Sequence, residues 1–212
     1  MSRTVSVAPW QLVSLYNPYE HFAMFAGVAT GKTYTGSHFA IKMVQEHPDK
    51  TGLVGANTYD QMTQATLREL LYWLDFYNID FVIDRRPPEG WGIRKQFKRY
   101  GNILTIRTPN GAATVFTRTL SKPNALRGIE ISWYWIDETR DTPANTHDVL
   151  LSRMRESSFR KGLITTTTNG EDWSYKRFMN TSRLSNKYLY GSMHVKTSES
   201  VAAGIITQDY LS

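Results

Sequence analysis

The stretch Phe25-Ala26-Gly27-Val28-Ala29-Thr30-Gly31-Lys32-Thr33 follows an apolar run and opens into a helix-compatible segment, Tyr34 to Gln45. A strand, a glycine-bearing loop ending in Gly-Lys-Thr and a helix form the layout of a phosphate-binding P-loop. Main-chain N–H groups and the positive end of the helix then surround the phosphates of a nucleotide. Lys32 adds a full charge, and the Thr33 hydroxyl is a ligand for Mg²⁺. The predicted nucleotide-binding residues are Gly27, Val28, Ala29, Thr30, Gly31, Lys32 and Thr33.

The match to the P-loop consensus is imperfect at one position. The consensus has glycine where this chain has Ala26, so the main chain there must keep a negative φ. A Gly-Lys-Thr tripeptide alone also fits a helix N-terminus that carries a surface lysine. The apolar strand His21–Phe25 on one side and the helix pattern on the other favour the P-loop.

Bulk composition narrows the class of protein. A chain of 212 residues suits one domain with an ample core, and the absence of cysteine excludes disulfides and thiolate metal sites. We expect no membrane association, because no signal peptide is visible and no apolar stretch approaches the ~20 residues of a membrane helix. The net charge of +6 favours a polyanionic partner, nucleic acid above all, although ordinary solubilising charge gives the same excess.

Short strands alternate with helices along most of the chain. This alternation predicts an α/β fold with a mainly parallel central sheet and helices on both faces. An Asn-Gly turn between two β-branched runs predicts an inserted β-hairpin. The predicted strands are 21–25, 52–56, 79–83, 103–107, 113–117, 132–137 and 163–167, and the predicted helices are 34–45, 60–76, 147–156 and 173–181.

The apolar segment that begins at Trp133 ends in two adjacent acids, Asp137 and Glu138. The carboxyl ends of parallel strands are where such sheets bind ligands. In a P-loop protein the aspartate holds the Mg²⁺ that bridges the β- and γ-phosphates, and the next acid can orient and deprotonate water. We therefore expect Asp137 to bind Mg²⁺ with Thr33, and Glu138 to act as the base. An acid pair that caps the following helix is the alternative interpretation.

The strand 163–167 ends in a cluster of hydroxyl and amide side chains before Gly170. Thr168 or Asn169 at this strand end would contact the γ-phosphate or the attacking water, and so report whether the triphosphate is intact. A buried strand followed by an Asn-Gly turn is the competing interpretation.

The order and spacing of four segments resemble the ATPase domain of the large terminase subunit of tailed double-stranded DNA bacteriophages. These segments are Ala26–Thr33, Leu126-Arg127-Gly128, Trp133–Glu138 and Thr166–Gly170, and the resemblance runs roughly from Pro9 to Thr207. It implies an ASCE-type P-loop core that hydrolyses ATP with Mg²⁺ to package DNA. It also implies a Thr-rich coupling motif that matches Thr166, Thr167, Thr168 and Asn169, and a glutamine near adenine that matches Gln11.

Two departures from the family pattern bear on function. Many members carry an arginine in the P-loop at the position where this chain has Val28. Arg127 is the best replacement for that missing arginine. The predicted catalytic residues are therefore Glu138, Lys32 and Arg127. The resemblance implies that Arg127 reaches the ATP of a neighbouring subunit; a solvated loop charge is the alternative. Complete large terminases also carry a C-terminal nuclease domain with clustered acids, for which the sequence shows no site. We interpret residues 1–212 as a single ATPase domain without nuclease activity.

The resemblance also implies partners and a place of action. These are double-stranded DNA, a portal protein, a small terminase subunit and other copies of the chain in a ring, whereas the isolated domain can be a monomer. Action is expected in the host cytoplasm, docked transiently on a procapsid. The DNA candidates come from one basic segment interleaved with aromatic residues: Arg85, Arg86, Arg94, Lys95, Lys98 and Arg99. A second basic cluster (Arg153, Arg155, Arg160, Lys161) and a subunit interface are alternatives.

Other classes of protein remain open from the residues alone. A P-loop phosphotransferase acting on a small molecule would use the arginines of 85–99 as a lid. A helicase-like translocase would share the whole motif set. A non-catalytic nucleic-acid-binding protein with a degenerate nucleotide site is suggested by Ala26 and Val28. ATP hydrolysis without an added acceptor separates the first of these from a motor.

Overall fold

The computed structural model describes residues 5–167, 170–180 and 186–207. Its strands are β1 (His21–Ala26), β2 (Gly52–Ala56), β3 (Phe81–Ile83), β4 (Ile103–Thr108), β5 (Gly111–Thr119), β6 (Trp133–Asp137), β7 (Lys161–Thr166) and β8 (Tyr190–Val195). Its helices are α1 (Pro9–Tyr16), α2 (Lys32–Glu46), α3 (Tyr59–Gln61), α4 (Arg68–Phe76), α5 (Ala144–Leu151), α6 (Trp173–Phe178) and α7 (Thr197–Ala202). A π-helical turn, Met62–Leu67, joins α3 to α4, and short 3₁₀ turns lie at Glu89–Trp91, Pro123–Leu126 and Lys187–Leu189.

The eight strands form one sheet in the order β3-β4-β5-β2-β6-β7-β1-β8. All neighbours from β5 to β8 in this order are parallel, whereas β4 is antiparallel to both β3 and β5. Strand β7 lies between the P-loop strand β1 and the acid-bearing strand β6, as expected for an ASCE-type core. The predicted α/β class, the mainly parallel sheet and the inserted hairpin β4–β5 are confirmed.

Helices cover both faces of the sheet, because the central strands are apolar on both sides. On one face α2 and α4 pack against Trp133 and Trp135 of β6. On the other face α5 and α6 pack against Tyr134 and Ile136 of the same strand. Within the described part of the chain, no helix is both long and apolar enough to cross a bilayer.

Several elements differ from the sequence-based prediction. The helix predicted over 147–156 is α5, Ala144–Leu151, because Pro143 begins it earlier. Glu156 lies beyond it, and its carboxylate accepts hydrogen bonds from the N–H and hydroxyl of Thr51 and from the Ser132 hydroxyl. Helix α1 and strand β8 were not predicted. The predicted helix over 60–76 is interrupted by the π-helical turn Met62–Leu67.

Candidate nucleotide-binding site

The P-loop connects β1 to α2 through a tight, braced turn. Ala26 belongs to β1 and keeps an ordinary φ, whereas Ala29 and Gly31 adopt φ of 59° and 77°. Trp10 of α1 donates its indole N–H to the Thr30 carbonyl (3.1 Å), and the Gly27 N–H bonds to the Val195 carbonyl of β8 (2.9 Å). The loop is therefore held from two sides by the elements that sequence analysis missed.

Gly27 itself has no room for a side chain. A Cβ built there would lie 2.2 Å from the hydroxyl oxygen of Thr197, the first residue of α7. The last described helix thus begins directly against the phosphate-binding loop. Val28 is the exposed residue of the loop, with 56% of its surface accessible.

Lys32 is the first residue of α2 and its ammonium group turns back over the loop. Its Nζ donates to the carbonyl oxygens of Ala26 (3.0 Å) and Gly27 (2.8 Å). Burial lowers the pKa of Lys32, while the nearby carboxylates of Glu138 and Asp137 raise it. The lysine and the two predicted acids therefore share one electrostatic environment.

Asp137 is buried and is held by three threonine hydroxyls from three different elements. Thr33 Oγ1 of the P-loop helix donates to Asp137 Oδ2 at 3.0 Å, and Thr66 Oγ1 of the π-helical turn donates to the same oxygen at 3.1 Å. Thr165 Oγ1 of β7 donates to Oδ1 at 2.8 Å and accepts the Trp135 indole N–H. The P-loop and the end of β6 thus meet in one crevice.

Burial raises the pKa of Asp137 to about 6, against the effect of its hydrogen bonds from Thr165, Thr33 and Thr66. Neutral hydroxyls stabilise the ionised carboxylate without supplying a compensating positive charge. A divalent cation beside Asp137 would supply that charge.

The donor set at this point suits Mg²⁺. Thr33 and Asp137 present a hydroxyl and a carboxylate oxygen in contact with each other, and both are hard oxygen ligands. Mg²⁺ takes such ligands and usually keeps several waters or substrate phosphates besides one or two protein groups. Thr33 and Asp137 would hold the ion, which when bound neutralises charge on the phosphate oxygens.

Glu138 follows β6 in a left-handed conformation, with φ of 55°. Its carboxylate accepts hydrogen bonds from Thr166 Oγ1 (2.9 Å), Thr167 N–H (3.2 Å) and Thr167 Oγ1 (3.0 Å). Its own N–H bonds to the Thr165 carbonyl (2.7 Å). The predicted base is therefore held by the predicted coupling strand. Thr168 and Asn169, the other predicted coupling residues, lie outside the described residues.

Gln11 lies against the P-loop rather than on the open surface, with 5% of it exposed. Its Oε1 accepts the Ala8 N–H (2.7 Å), and a Cβ on Gly31 would lie 2.5 Å from its Nε2. Beside it is a cavity of about 330 Å³, whose largely apolar lining includes Val7, Pro9, Tyr34, Ala203 and Ile205. A cavity with this lining next to a P-loop suits a nucleobase.

Tyr34 forms one side of that cavity. Its ring stacks on His38, with 4.1 Å between ring centroids, and its hydroxyl donates to the Ser6 carbonyl (3.3 Å). Burial raises the pKa of Tyr34 to about 12. The ring therefore stays neutral and is oriented from two sides.

Arg127 ends the 3₁₀ turn Pro123–Leu126, between β5 and β6. Its main-chain N–H bonds to the Asn124 carbonyl, while its side chain is exposed and has no hydrogen-bond or ion-pair partner among the described residues. The preceding Leu126 is buried in the core on the α5 side of the sheet. A buried leucine thus anchors a loop that presents a free arginine.

The six DNA candidates do not form one patch. Arg85 and Arg86 follow β3, whereas Arg94 bonds to the Asn110 carbonyl at the tip of the β4–β5 hairpin (3.1 Å), at the opposite end of these strands. Lys95 forms an ion pair with Glu156, so part of its charge is compensated. Lys98 and Arg99 are exposed on the way back towards β4.

Sequence reasoning missed Thr66 and Thr165, although both touch Asp137. Thr165 pairs in register with Asp137, so the order of the strands would have identified it. Thr66 depends on the π-helical turn, for which the sequence carries no signal that we recognise. Thr167 of the predicted coupling set, in contrast, directly follows β7, and its hydroxyl donates to the Glu138 carboxylate.

The fold and the meeting of P-loop and acids define an ASCE-type P-loop NTPase core. The family model described as terminase large subunit, T4likevirus-type, N-terminal, matches residues 23–189. The chain therefore belongs to the large terminase family, and the resemblance seen in its motifs is confirmed. A search of curated proteins finds no match.

Solved terminase structures share this fold. The large terminase of a thermophilic bacteriophage, solved in complex with ADP, is 13% identical, with a TM-score of 0.74 over 95% of this chain and 47% of that chain. The Thermus phage P74-26 large terminase ATPase domain is 15% identical, with a TM-score of 0.65 over 93% and 84%. The bacteriophage Phi-29 viral genome packaging motor assembly is 12% identical, with a TM-score of 0.53 over 84% and 51%. The chain spans about half the length of the terminase solved with ADP.

Proposed function

We propose that this domain hydrolyses ATP and couples the hydrolysis to movement of double-stranded DNA into a viral procapsid. The observation that carries the proposal is the contact of Thr33 Oγ1 with Asp137 Oδ2 at 3.0 Å, with Glu138 one residue further on. The ADP complex of the thermophilic bacteriophage terminase and the packaging-motor assembly of Phi-29 support it by analogy. Residues 1–212 act as one ATPase domain in this proposal.

The chain's own residues would divide the chemistry as follows. The loop Gly27–Thr33 and Lys32 bind the phosphates of ATP, and Lys32 neutralises charge that grows on their oxygens. Glu138 orients the attacking water and accepts its proton. Because Thr166 and Thr167 hold the Glu138 carboxylate, a shift of β7 on loss of the γ-phosphate also moves the base. Arg127 completes the site from a neighbouring copy.

The proposed partners follow from this role. Double-stranded DNA is contacted through its phosphates, since a motor must move any sequence. Other copies of the chain form a ring in which Arg127 of one copy faces the ATP of the next. The portal protein and the small terminase subunit dock to this ring, in the host cytoplasm and on the procapsid.

Substitution of Glu138 tests the proposal. Glu138→Gln keeps the shape and the hydrogen-bond acceptor but cannot take a proton, so we expect phosphate release to fall by at least about a hundredfold. Binding of a fluorescent ATP analogue should stay within about twofold of wild type. The measurement is steady-state phosphate release with ATP and Mg²⁺, without an added acceptor.

The neighbouring Asp141→Asn serves as a matched control, because Asp141 is exposed and lies three residues beyond the proposed base. Normal turnover by Glu138→Gln would show that another group activates water. Negligible release by the wild type that rises on adding a small-molecule acceptor would favour the phosphotransferase instead.

A further inference from the structure

A second cavity, of about 600 Å³, opens beside the π-helical turn Met62–Leu67. Met62, Thr63 and Leu67 of that turn form one wall, and Arg118 and Thr119 at the end of β5 form another. Asp84 and Asn102, at the ends of β3 and β4, also line it. None of the residues assigned above to nucleotide, metal, coupling or DNA lies in this lining.

Arg118 is the unusual group in this cavity. Its guanidinium lies 5.1 Å from the centroid of the Phe116 ring, and its Nη1 donates to the carbonyls of Thr117 (2.8 Å) and Asn102 (2.9 Å). Its Nε and Nη2 groups have no acceptor, and no carboxylate pairs with it, within the described residues. Burial lowers the pKa of Arg118. Three N–H donors of a partly desolvated cation are thus left over.

Several other arginines of the domain pair with acids. Arg107 pairs with Asp80 (3.0 Å), Arg155 with Glu130 (3.0 Å) and Arg177 with Asp148 (2.7 Å). The carboxylate that lines the cavity, Asp84, instead accepts the N–H of Asn102 (2.5 Å). The Arg118 guanidinium therefore presents planar N–H donors to the cavity without an acidic side chain to accept them.

We propose that this cavity takes a phosphate group of the DNA backbone, bound by the free edge of Arg118. A guanidinium fork matches phosphate oxygens two at a time. Two further arginines, Arg85 and Arg86, directly follow the cavity-lining Asp84 in the chain. This inference rests on the proposed function, to which it adds a defined DNA contact.

The position also links DNA to the nucleotide site. The turn that forms one wall of the cavity is the turn whose Thr66 reaches Asp137. A phosphate bound beside Thr63 would therefore touch the same short segment that orients the metal-binding carboxylate. π-helical turns within α-helices often occur at functional sites. This agrees with a turn that both contacts Asp137 and forms a wall of the cavity.

Binding of a short DNA duplex of mixed sequence, followed by fluorescence anisotropy over a range of salt concentrations, tests the proposal. Arg118→Gln should weaken binding about tenfold at low salt and lower the slope of log K against log salt by about one. Arg107→Gln is the matched control, because Arg107 is exposed and already paired with Asp80. Equal behaviour of the two variants would overturn the assignment of Arg118.

The two proposals fail in different ways. Wild-type protein that binds the duplex and hydrolyses ATP, together with unchanged binding by Arg118→Gln, overturns this inference alone. Wild-type protein that does not bind the duplex overturns the DNA role itself, and the inference with it.

Arginine modification of the wild-type protein keeps the test free of folding effects. Phenylglyoxal should modify Arg118 several-fold more slowly when the duplex is present, with Arg107 unaffected, as read by mass spectrometry of peptides. Inorganic phosphate at the same phosphate concentration should protect much less. Equal protection by inorganic phosphate would indicate a site for the free anion, and no protection by the duplex would exclude a DNA contact.

Discussion

Asp137 and Glu138 are adjacent in sequence, but their carboxylates are held by different threonines. Thr33, Thr66 and Thr165 hold Asp137, while Thr166 and Thr167 hold Glu138. The left-handed conformation of Glu138 turns its side chain away from the direction that an extended strand would give it. The two adjacent carboxylates thus lie in different surroundings, and on the proposed function Asp137 serves the metal and Glu138 the attacking water.

Thr66 provides the sharpest test at the scale of single residues. Thr66→Val keeps the shape of the side chain but removes one of the two hydroxyl donors to Asp137 Oδ2. Adding Mg²⁺ should raise the ADP affinity of the variant about ten times less than it raises that of the wild type. The reason is that residues bonded to a metal ligand orient that ligand. Binding of ADP without Mg²⁺ should not change. Titration of a fluorescent ADP analogue with and without Mg²⁺ measures both quantities.

Two further variants separate positioning from packing. Thr66→Ser restores the hydroxyl and should recover the Mg²⁺ effect, while Thr63→Val removes a hydroxyl of the same turn that donates to the Tyr59 carbonyl. A Mg²⁺ effect in Thr66→Val equal to that in Thr63→Val would refute the positioning role.

Residues that form a local motif could be predicted from the sequence, whereas those that depend on tertiary contacts could not. Lys32 and Thr33 follow from one loop pattern, and the acids follow from one strand pattern. Thr66 reaches Asp137 from 71 positions earlier in the chain, and only because a π-helical turn places it there. Gln11 was predicted from family resemblance, and its position against Gly31 depends on a helix that was not predicted.

Helix α2 lies directly against strand β6. Trp135 of β6 lies over Gly36 of α2, where a Cβ would come within 1.9 Å of the indole Cε2. The P-loop helix can therefore lie close to the strand that carries Asp137. The glycine in the helix and the tryptophan in the strand together set the distance between the P-loop helix and this acid.

Gly36→Ala should accordingly destabilise the domain. Alanine favours a helix over glycine by roughly 0.5–1 kcal/mol, but overpacking costs typically 1–3 kcal/mol, so the free energy of unfolding should fall by about 1–2 kcal/mol. Urea unfolding measures the change. Gly90→Ala is the control, since a Cβ there meets nothing within 4 Å. Equal stability of the two variants would mean that α2 can move away from β6 without cost.

Elements with strong local signals were predicted, whereas β8, at one edge of the sheet, was not. Strand β2 has the predicted bounds, and the hairpin β4–β5 follows its Asn-Gly turn. Strand β8 alternates buried and exposed residues only weakly, with Ser192, Met193 and His194 in its second half, so its pattern resembles a loop. It becomes a strand because β1 offers it a parallel edge. That information belongs to the sheet rather than to the segment.

At the scale of the whole molecule, the basic residues are spread over both ends of the sheet. The segment after β3 reaches the hairpin tip, where Ile93 bridges Ala112, and then returns with Phe97 packed on Phe116. Its charges were predicted as one DNA-binding set, but the fold separates them. A surface that tracks DNA must therefore combine part of this segment with basic residues from elsewhere, of which Arg118 is the first candidate.

The stability of the whole domain should depend on pH through a buried histidine. Burial, with Arg160, Arg177 and Lys161 nearby, lowers the pKa of His21 from 6.5 to about 4. As the pH falls from 6.5 to 4, the unfolded chain gains a proton at His21 that the folded chain does not accept. Folding stability is thus lost over this window, by roughly 3 kcal/mol in full.

His21→Gln removes the part of this dependence that His21 contributes, while His147, whose pKa is also lowered by burial, remains in both proteins. Comparing urea unfolding at about pH 8 and about pH 4.5, the wild type should lose more stability than the variant on acidification. The opposite effect of Asp137, whose pKa is raised, is present in both proteins and cancels in the comparison. His194→Gln, at an exposed position, should follow the wild type. Parallel losses in wild type and His21→Gln would contradict the buried neutral histidine.

The helix α7 begins against Gly27 through Thr197, and the residues just after it, Ala203 and Ile205, line the 330 Å³ cavity beside Gln11. On the proposed function, both ends of a bound nucleotide therefore rest on one short stretch of chain near the last described residue. Tension that draws this stretch outward would open the phosphate end and the base end together. A motor built in this way would release ADP faster under load. The resisting force on the DNA would then help to set when the next ATP binds.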